Sequence, residues 1–65
     1  MSDITIKESI LAVITVNRDS VGGGGAPIFY AMDQDEQSKI SLYLARILNG
    51  MVHDLGNGVY IIVKH

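Results

Sequence analysis

The sequence contains no cysteine and only one proline. Without cysteine the chain can form neither a disulfide nor a thiolate zinc site, and the two histidines, His53 and His65, have no second ligand at metal-binding spacing. Domains below roughly 70 to 80 residues usually supplement a thin core with a disulfide, a metal or oligomerisation. For this chain of 65 residues oligomerisation is the remaining means, and we expect no metal and no cofactor.

Charge is also scarce and is not concentrated in one sign. Five basic residues stand against seven acidic ones, which gives a formal net charge of −2 at pH 7. The basic residues are scattered along the chain, whereas a nucleic-acid backbone is bound by a stripe of them. We therefore expect no nucleic-acid partner.

Long hydrophobic runs are absent as well. Residues 10–16 form a run far shorter than the roughly 20 residues of a membrane-spanning helix. The start, Met1 to Ile4, carries no basic stretch of the kind that opens a signal peptide. These features predict a cytoplasmic protein without membrane association, and the lack of cysteine fits a reducing compartment.

Three segments have the pattern of β-strands. Over about residues 4–16 the even positions are mostly apolar and rich in β-branched side chains, which favours a strand. A helix from Ile6 to Val16 is the alternative, because several of its apolar residues also recur at helical spacing. Two short apolar segments at about residues 27–32 and 59–64 predict further strands, and Pro27 stands where a strand tolerates a missing N–H.

One helix is predicted over about residues 34–55. Asp33 and Glu36 have the spacing of a capping box at its start, and Gly56 is suited to a left-handed stop at its end. Gly50 lies within this segment, so a break near Asn49 and Gly50 is the alternative. If Gly56 is the stop, Gly56→Ala should destabilise the protein more than Gly50→Ala. The helix carries a broad apolar stripe of Ile40, Tyr43, Leu44, Ile47, Leu48, Met51, Val52 and Leu55.

The order of elements predicts a small α+β domain of the type β-β-α-β, with residues 1–65 forming a single domain. Residues 20–26 contain four consecutive glycines and are expected to form a loop, across which the first two strands form an antiparallel hairpin. A right-handed crossover through the helix would make the flanking strands parallel. The expected architecture is a three-stranded mixed sheet with one long helix on one face. The helix residues expected to cover that face are Ile40, Leu44, Ile47 and Met51.

The second face of this sheet has nothing in the chain to cover it. The last strand is apolar on both sides, so the face turned away from the helix is expected to be buried by oligomerisation, most simply in a homodimer. The predicted interface residues are Val59, Tyr60, Ile61, Ile62 and Val63.

A ligand site could lie beside the glycine loop. Its N–H groups could bind an anion, but a phosphate loop normally enters a helix and carries a Lys-Ser or Lys-Thr pair, and this loop has neither feature. The candidate ligand-binding residues are Asp19, Gly22, Gly23, Gly24, Gly25 and Tyr30.

No nucleophile, base and orienting group can be assembled from the sequence, so an enzyme is the less favoured interpretation and no catalytic residue is assigned. The favoured one is a non-catalytic interaction or regulatory module that works as a homo-oligomer and has a possible protein partner. The alternative is a small-ligand or anion-binding protein, or a minimal enzyme, with its site under Gly22 to Gly25 at a subunit interface.

Overall fold

The strands at the centre of the sheet come from the two segments richest in β-branched residues. In the computed structural model, which describes residues 10–22 and 25–64, these are β1 (Ile10–Thr15) and β4 (Val59–Lys64). The other elements are β2 (Ile28–Tyr30), the helix α1 (Gln34–Leu48) and β3 (Gly50–Asp54), with a short 3-10 turn at Arg18–Ser20. The α+β class is confirmed, but the sheet has four strands and not the three predicted.

The sheet has the strand order β2-β1-β4-β3. Strand β1 pairs parallel with β2 and antiparallel with β4, and β3 pairs antiparallel with β4. The predicted antiparallel hairpin between the first two strands is therefore wrong, and so is the predicted parallel direction of β2 and the last strand. A parallel neighbour needs a crossover of about a dozen residues or more, and residues 16–27, with their 3-10 turn, supply it.

Strand β1 begins within the predicted strand at about residues 4–16, and the helical alternative for its described part is wrong. Residues 1–9, and Gly23 and Gly24 of the predicted loop at 20–26, lie outside the described residues. Strand β2 is shorter than the predicted segment 27–32 because Ala31 and Met32 turn the chain towards α1. Among the described residues, no helix has the length and apolar character needed to cross a membrane.

The start of α1 is as predicted. The Asp33 side chain accepts a hydrogen bond from Glu36 N (2.8 Å), and the Glu36 carboxylate accepts one from Met32 N (2.7 Å). These bonds satisfy backbone donors that have no partner within the first turn. A carboxylate at this end also interacts favourably with the helix dipole.

The predicted end of the helix at residue 55 is wrong, because α1 ends at Leu48. Asn49 adopts the left-handed conformation (φ 57°, ψ 48°), and its N–H is directed at the carbonyls of Ala45 and Arg46. Asparagine reaches this conformation more readily than most residues. The chain then reverses into β3, so Gly56 is not a helix stop. It lies in the β3–β4 turn, where its φ is 87°.

The core lies between α1 and one face of the sheet. Its buried apolar centre consists of Ala12, Ile14, Ala31 and Ile62, and the partly buried residues packed against it are Leu11, Ile40, Leu44, Ala45 and Tyr60. Of the four helix residues expected to cover the sheet, two do so. The other two do not, because Ile47 is 75% exposed on α1 and Met51 belongs to β3.

The opposite face of the sheet is called the open face here, because α1 does not cover it. Cross-strand partners share a face, and Ala12 and Ile62, which are partners, both point into the core. Alternation therefore turns their neighbours away from α1. The apolar residues on this side of the sheet are Ile10, Val13, Ile28, Tyr30, Met51, Val59, Ile61 and Val63, of which Val59 is buried.

Candidate functional site

The predicted interface segment, Val59 to Val63, forms the interior strand β4 and does not lie at an edge of the sheet. Its alternation divides the five residues between the two faces. Tyr60 and Ile62 point towards α1, whereas Ile61 and Val63 belong to the open face. Val59 is buried opposite Thr15. Only part of the predicted segment is thus available to a partner. The open face also includes residues of the three other strands.

The predicted ligand residues are only partly brought together. Asp19 lies in the 3-10 turn, where its N–H donates to Asn17 Oδ1 (3.1 Å), and Tyr30 ends β2 with 47% of its surface exposed. Arg18 connects these regions, because its guanidinium carbon lies 4.9 Å from the centroid of the Tyr30 ring. This is the geometry of a cation–π contact. Gly22 and Gly25 lie in the same connection.

A separate cavity of about 260 Å³ opens at the end of the sheet where α1 begins. Its polar walls are formed by Gln34 and Gln37 of α1 and by Asp54 at the end of β3. Val16 and the Tyr60 side chain form apolar parts of the lining, and Gly56 and Gly58 of the β3–β4 turn complete it. Of the ligand residues predicted from the sequence, none of the described ones, Asp19, Gly22, Gly25 and Tyr30, lines this cavity.

Gln37 fixes the position of α1 at this end. It is 1% exposed, and its Nε2 donates to Ile14 O and to Gly58 O, both at 2.9 Å. One carboxamide thus joins the helix to β1 and to the β3–β4 turn. Both partners are carbonyl oxygens, which only accept hydrogen bonds, so the side-chain atom that faces them is the amide nitrogen Nε2 and not Oε1.

The β3–β4 turn holds its shape through glycines and one carboxylate. Gly56 and Gly58 have φ values of 87° and 84°, which favour glycine, and Asp54 Oδ1 accepts a hydrogen bond from Gly56 N (2.7 Å). A Cβ on Gly58 would lie 3.1 Å from Val16 Cγ2. The glycines therefore keep the turn close to Val16 without filling the cavity between them.

Replacing Gln37 with leucine should lower the free energy of unfolding by about 2 kcal/mol, because the two hydrogen bonds that its Nε2 donates are lost and the one to Ile14 O is buried. The matched control is Ser41→Ala. Ser41 is also a buried polar residue of α1, but its Oγ has no hydrogen-bond partner among the described residues. That variant should be neutral or slightly stabilising. Urea unfolding of both variants measures the difference, and equal losses would contradict the role given to Gln37.

No group of three or more His, Cys, Asp and Glu side chains suited to a metal ion occurs among the described residues. Asp33 and Glu36 are used in capping α1, and His53 lies exposed on β3. The chemistry that the described residues offer is therefore hydrogen bonding and charge at the cavity, and apolar contact on the open face.

Comparison with known proteins gives one family and one relative. The family described as "Capping complex subunit for YIEGIA" matches residues 7–65 of the chain. The "Uncharacterized protein YpzH" of Bacillus subtilis (strain 168) is 46% identical over 61 residues, which cover 94% of this chain and 94% of that protein. No solved structure matches the chain significantly.

Proposed function

We propose that this chain, which belongs to the family of capping complex subunits for YIEGIA, is a small non-enzymatic subunit that binds other proteins through the open face of its sheet. The family description names a subunit of a capping complex for YIEGIA, so the class of partner that it implies is the other proteins of that complex.

The observation that carries the proposal is the apolar character of the open face. It presents side chains from all four strands, and Met51 and Tyr30 at its edges are 49% and 47% exposed. Val13, Ile61 and Val63 between them are only partly buried. A contiguous apolar surface of this kind on a small protein marks an interaction site.

Self-association is the simplest use of this face, and we propose that the chain forms a homo-oligomer, most simply a dimer, through it. Two copies would stack their sheets about 10 Å apart around a two-fold axis, with identical surfaces in contact. Burying about 500 Å² of apolar surface per chain would contribute of order 10 kcal/mol at 25 cal/mol/Å², before the costs of association. A single core of this size rarely supplies more than about 3 to 5 kcal/mol, so burial of the open face would be a large term beside the stability of the isolated chain.

Co-expression with the YIEGIA protein tests the proposal directly, with a matched pair of variants. Met51→Asp places a charge on the open face, and Ile47→Asp places the same charge on the exposed side of α1, which is apolar at that point but lies away from the open face. Both residues are already exposed, so neither change should unfold the chain.

We expect the wild-type chain and Ile47→Asp to co-purify with the YIEGIA protein and Met51→Asp to lose at least about 90% of the complex, because an unpaired carboxylate in an apolar interface costs several kcal/mol. Loss of the complex with Ile47→Asp alone would place the interface on α1. Failure of the wild-type chain to form any complex would overturn the proposal.

A second candidate function is binding of a small anion beside the glycine loop. The observation that favours it is Arg18, whose guanidinium is held over the Tyr30 ring next to the connection that contains Gly22 and Gly25. A thermal-shift screen with nucleotides, phosphate and common metabolites tests it. A stabilisation that disappears in Arg18→Gln, and also after Gly23 and Gly24 are replaced by alanine, would support this function, and a flat screen would exclude it.

A further inference from the structure

The acidic residues of the structure lie at one end of the fold. Asp19 follows β1, Asp54 ends β3, and the three others, Asp33, Asp35 and Glu36, lie at the start of α1. The strand register brings the ends of these elements together. Thr15 at the end of β1 is the partner of both Tyr30 and Val59. Asp54 at the end of β3 is the partner of Tyr60, the residue after Val59. All five carboxylates in the described part of the chain thus share one end of the sheet.

The positive charges near this end are fewer than the carboxylates. Arg46 is in the last turn of α1 and Lys64 ends β4, so both lie towards the opposite end of the sheet. Lys39 is exposed in the second turn of α1. Arg18 is at the acidic end, but its guanidinium stacks on Tyr30. None of the described lysines and arginines forms an ion pair with a described carboxylate. The cavity therefore opens into a region of negative potential.

The charged residue of the cavity lining is Asp54, and the carboxamides of Gln34 and Gln37 add polar groups. Gln37 uses its Nε2 for two backbone carbonyls, which leaves Oε1 as the atom that it can present to the cavity. Asp54 has a carboxylate of which one oxygen is bonded to Gly56 N. Tyr60 is its cross-strand partner, so the two side chains share a face at this wall.

The shape suits a flexible aliphatic chain with a cationic head. The apolar contributions of Val16 and the Tyr60 ring can contact methylene groups. The volume of about 260 Å³ is in the range of one large side chain and below that of a typical drug-sized pocket. An anion would be repelled here by the Asp54 carboxylate, and the first-turn N–H of Glu36 is already bonded to Asp33.

We propose that this cavity receives the side chain of an arginine or lysine from a protein partner. The guanidinium or ammonium group lies against the Asp54 carboxylate and Gln37 Oε1, and the aliphatic stem lies against Val16 and Tyr60. The inference rests on the proposed function in one respect, namely that the cation is carried by a partner protein. The cavity is distinct from the open face, so one partner could bind to the cavity and to the open face at the same time.

The test is a titration of the 15N-labelled protein with N-acetyl-arginine-methylamide, followed by NMR. We expect the amide signals of Gly56 and Gly58 and the side-chain amide of Gln37 to shift with a Kd of about a few millimolar, as suits a single side chain. The citrulline analogue, which has a similar shape but no charge, should cause no comparable shifts. Raising the salt concentration to about 0.5 M should weaken binding several-fold, because exposed charges are screened.

Asp54→Asn and Asp35→Asn form the matched pair of variants. Both remove one negative charge from the acidic end, but only Asp54 lines the cavity, and asparagine at that position can still accept the Gly56 N–H. We expect Asp54→Asn to raise Kd at least about fivefold and Asp35→Asn less than about twofold. Equal effects of the two variants, equal shifts with citrulline, or no shift at about 20 mM arginine probe would overturn the inference. The probe does not require the YIEGIA protein, so this outcome is independent of co-purification.

Discussion

Replacing Gly50 with alanine should lower the free energy of unfolding by about 3 kcal/mol, which is most of the stability of a domain of this size. Gly50 begins β3 and packs against β4. A Cβ at this position would lie 2.7 Å from Ile62 Cγ2, 2.7 Å from Val63 O and 3.3 Å from Leu11 Cδ1. One of these atoms belongs to the backbone of the central strand, so it cannot move aside without disturbing the sheet.

The matched control is Gly56→Ala. Gly56 has a φ of 87°, which opposes a side chain, but a Cβ there would meet nothing within 4 Å. The expected cost is about 1 to 2 kcal/mol from backbone strain alone. Gly56→Asn should cost less, since asparagine tolerates the left-handed region better. Urea unfolding midpoints should therefore fall in the order wild type, Gly56→Asn, Gly56→Ala, Gly50→Ala.

This order reverses the one expected from the sequence, and the reversal has a structural cause. The sequence-based expectation took Gly56 as the helix stop and Gly50 as a helix interior residue. In the structure the stop is Asn49, and Gly50 is the first residue of a strand. An unfolding midpoint for Gly50→Ala above that for Gly56→Ala would show that β3 does not pack against β4 as described.

Elements defined by local signals could be predicted from the sequence. The start of α1 depends on Asp33 and Glu36, which act within four residues of each other, and β4 depends on a short segment rich in β-branched residues. All the residues that determine such an element lie within a few positions of each other in the sequence. Their prediction needed no knowledge of the rest of the fold.

The end of α1 could not be predicted because the helical pattern continues beyond it. Met51, Val52 and Leu55 extend the apolar stripe at helical spacing, and residues 50–55 show no alternation of apolar and polar residues that would indicate a strand. The choice is made by tertiary contact, since β3 gains a full ladder with β4 and Gly50 fits beside Ile62. The pairing with β4 thus overrides the local helical propensity of residues 51–55.

The direction of β2 was also beyond the sequence. A loop rich in glycine is compatible with a hairpin or with a longer crossover, and the glycines themselves do not distinguish these. The parallel pairing of Val13 to Thr15 with Ile28 to Tyr30 follows from the 3-10 turn and the length of the connection. The weak local signal for that turn is Asn17, whose side chain accepts the Asp19 N–H.

The cavity was missed for a different reason. Its key residue, Gln37, has a polar side chain, whereas the buried face of a helix is predicted from its apolar residues. Gln37 does lie three and seven residues before Ile40 and Leu44, so extending the stripe towards the start of α1 would have placed it on the buried face. Its two carbonyl partners come from distant segments, and no local pattern reveals them.

Replacing Ile61 with aspartate should abolish self-association of the protein. Ile61 lies in the interior strand β4, between Val13 of β1 and His53 of β3 on the open face. A carboxylate at the centre of two stacked sheets would be buried without a partner, at a cost of several kcal/mol in each copy. Light scattering coupled to gel filtration should show a multiple of 7.0 kDa for the wild type and no oligomer for the variant.

Two further variants keep this prediction testable if Ile61→Asp also unfolds the chain. Met51→Asp changes a half-exposed residue at the edge of the same face, so it should dissociate the oligomer while the circular dichroism of the fold is retained. Ile47→Asp, on the exposed side of α1, should leave the oligomer intact. A wild-type mass of 7.0 kDa that persists at high protein concentration would overturn the oligomer claim. If Ile61→Asp instead gives stably folded monomers, the domain does not need a partner for its stability, and the open face serves binding alone.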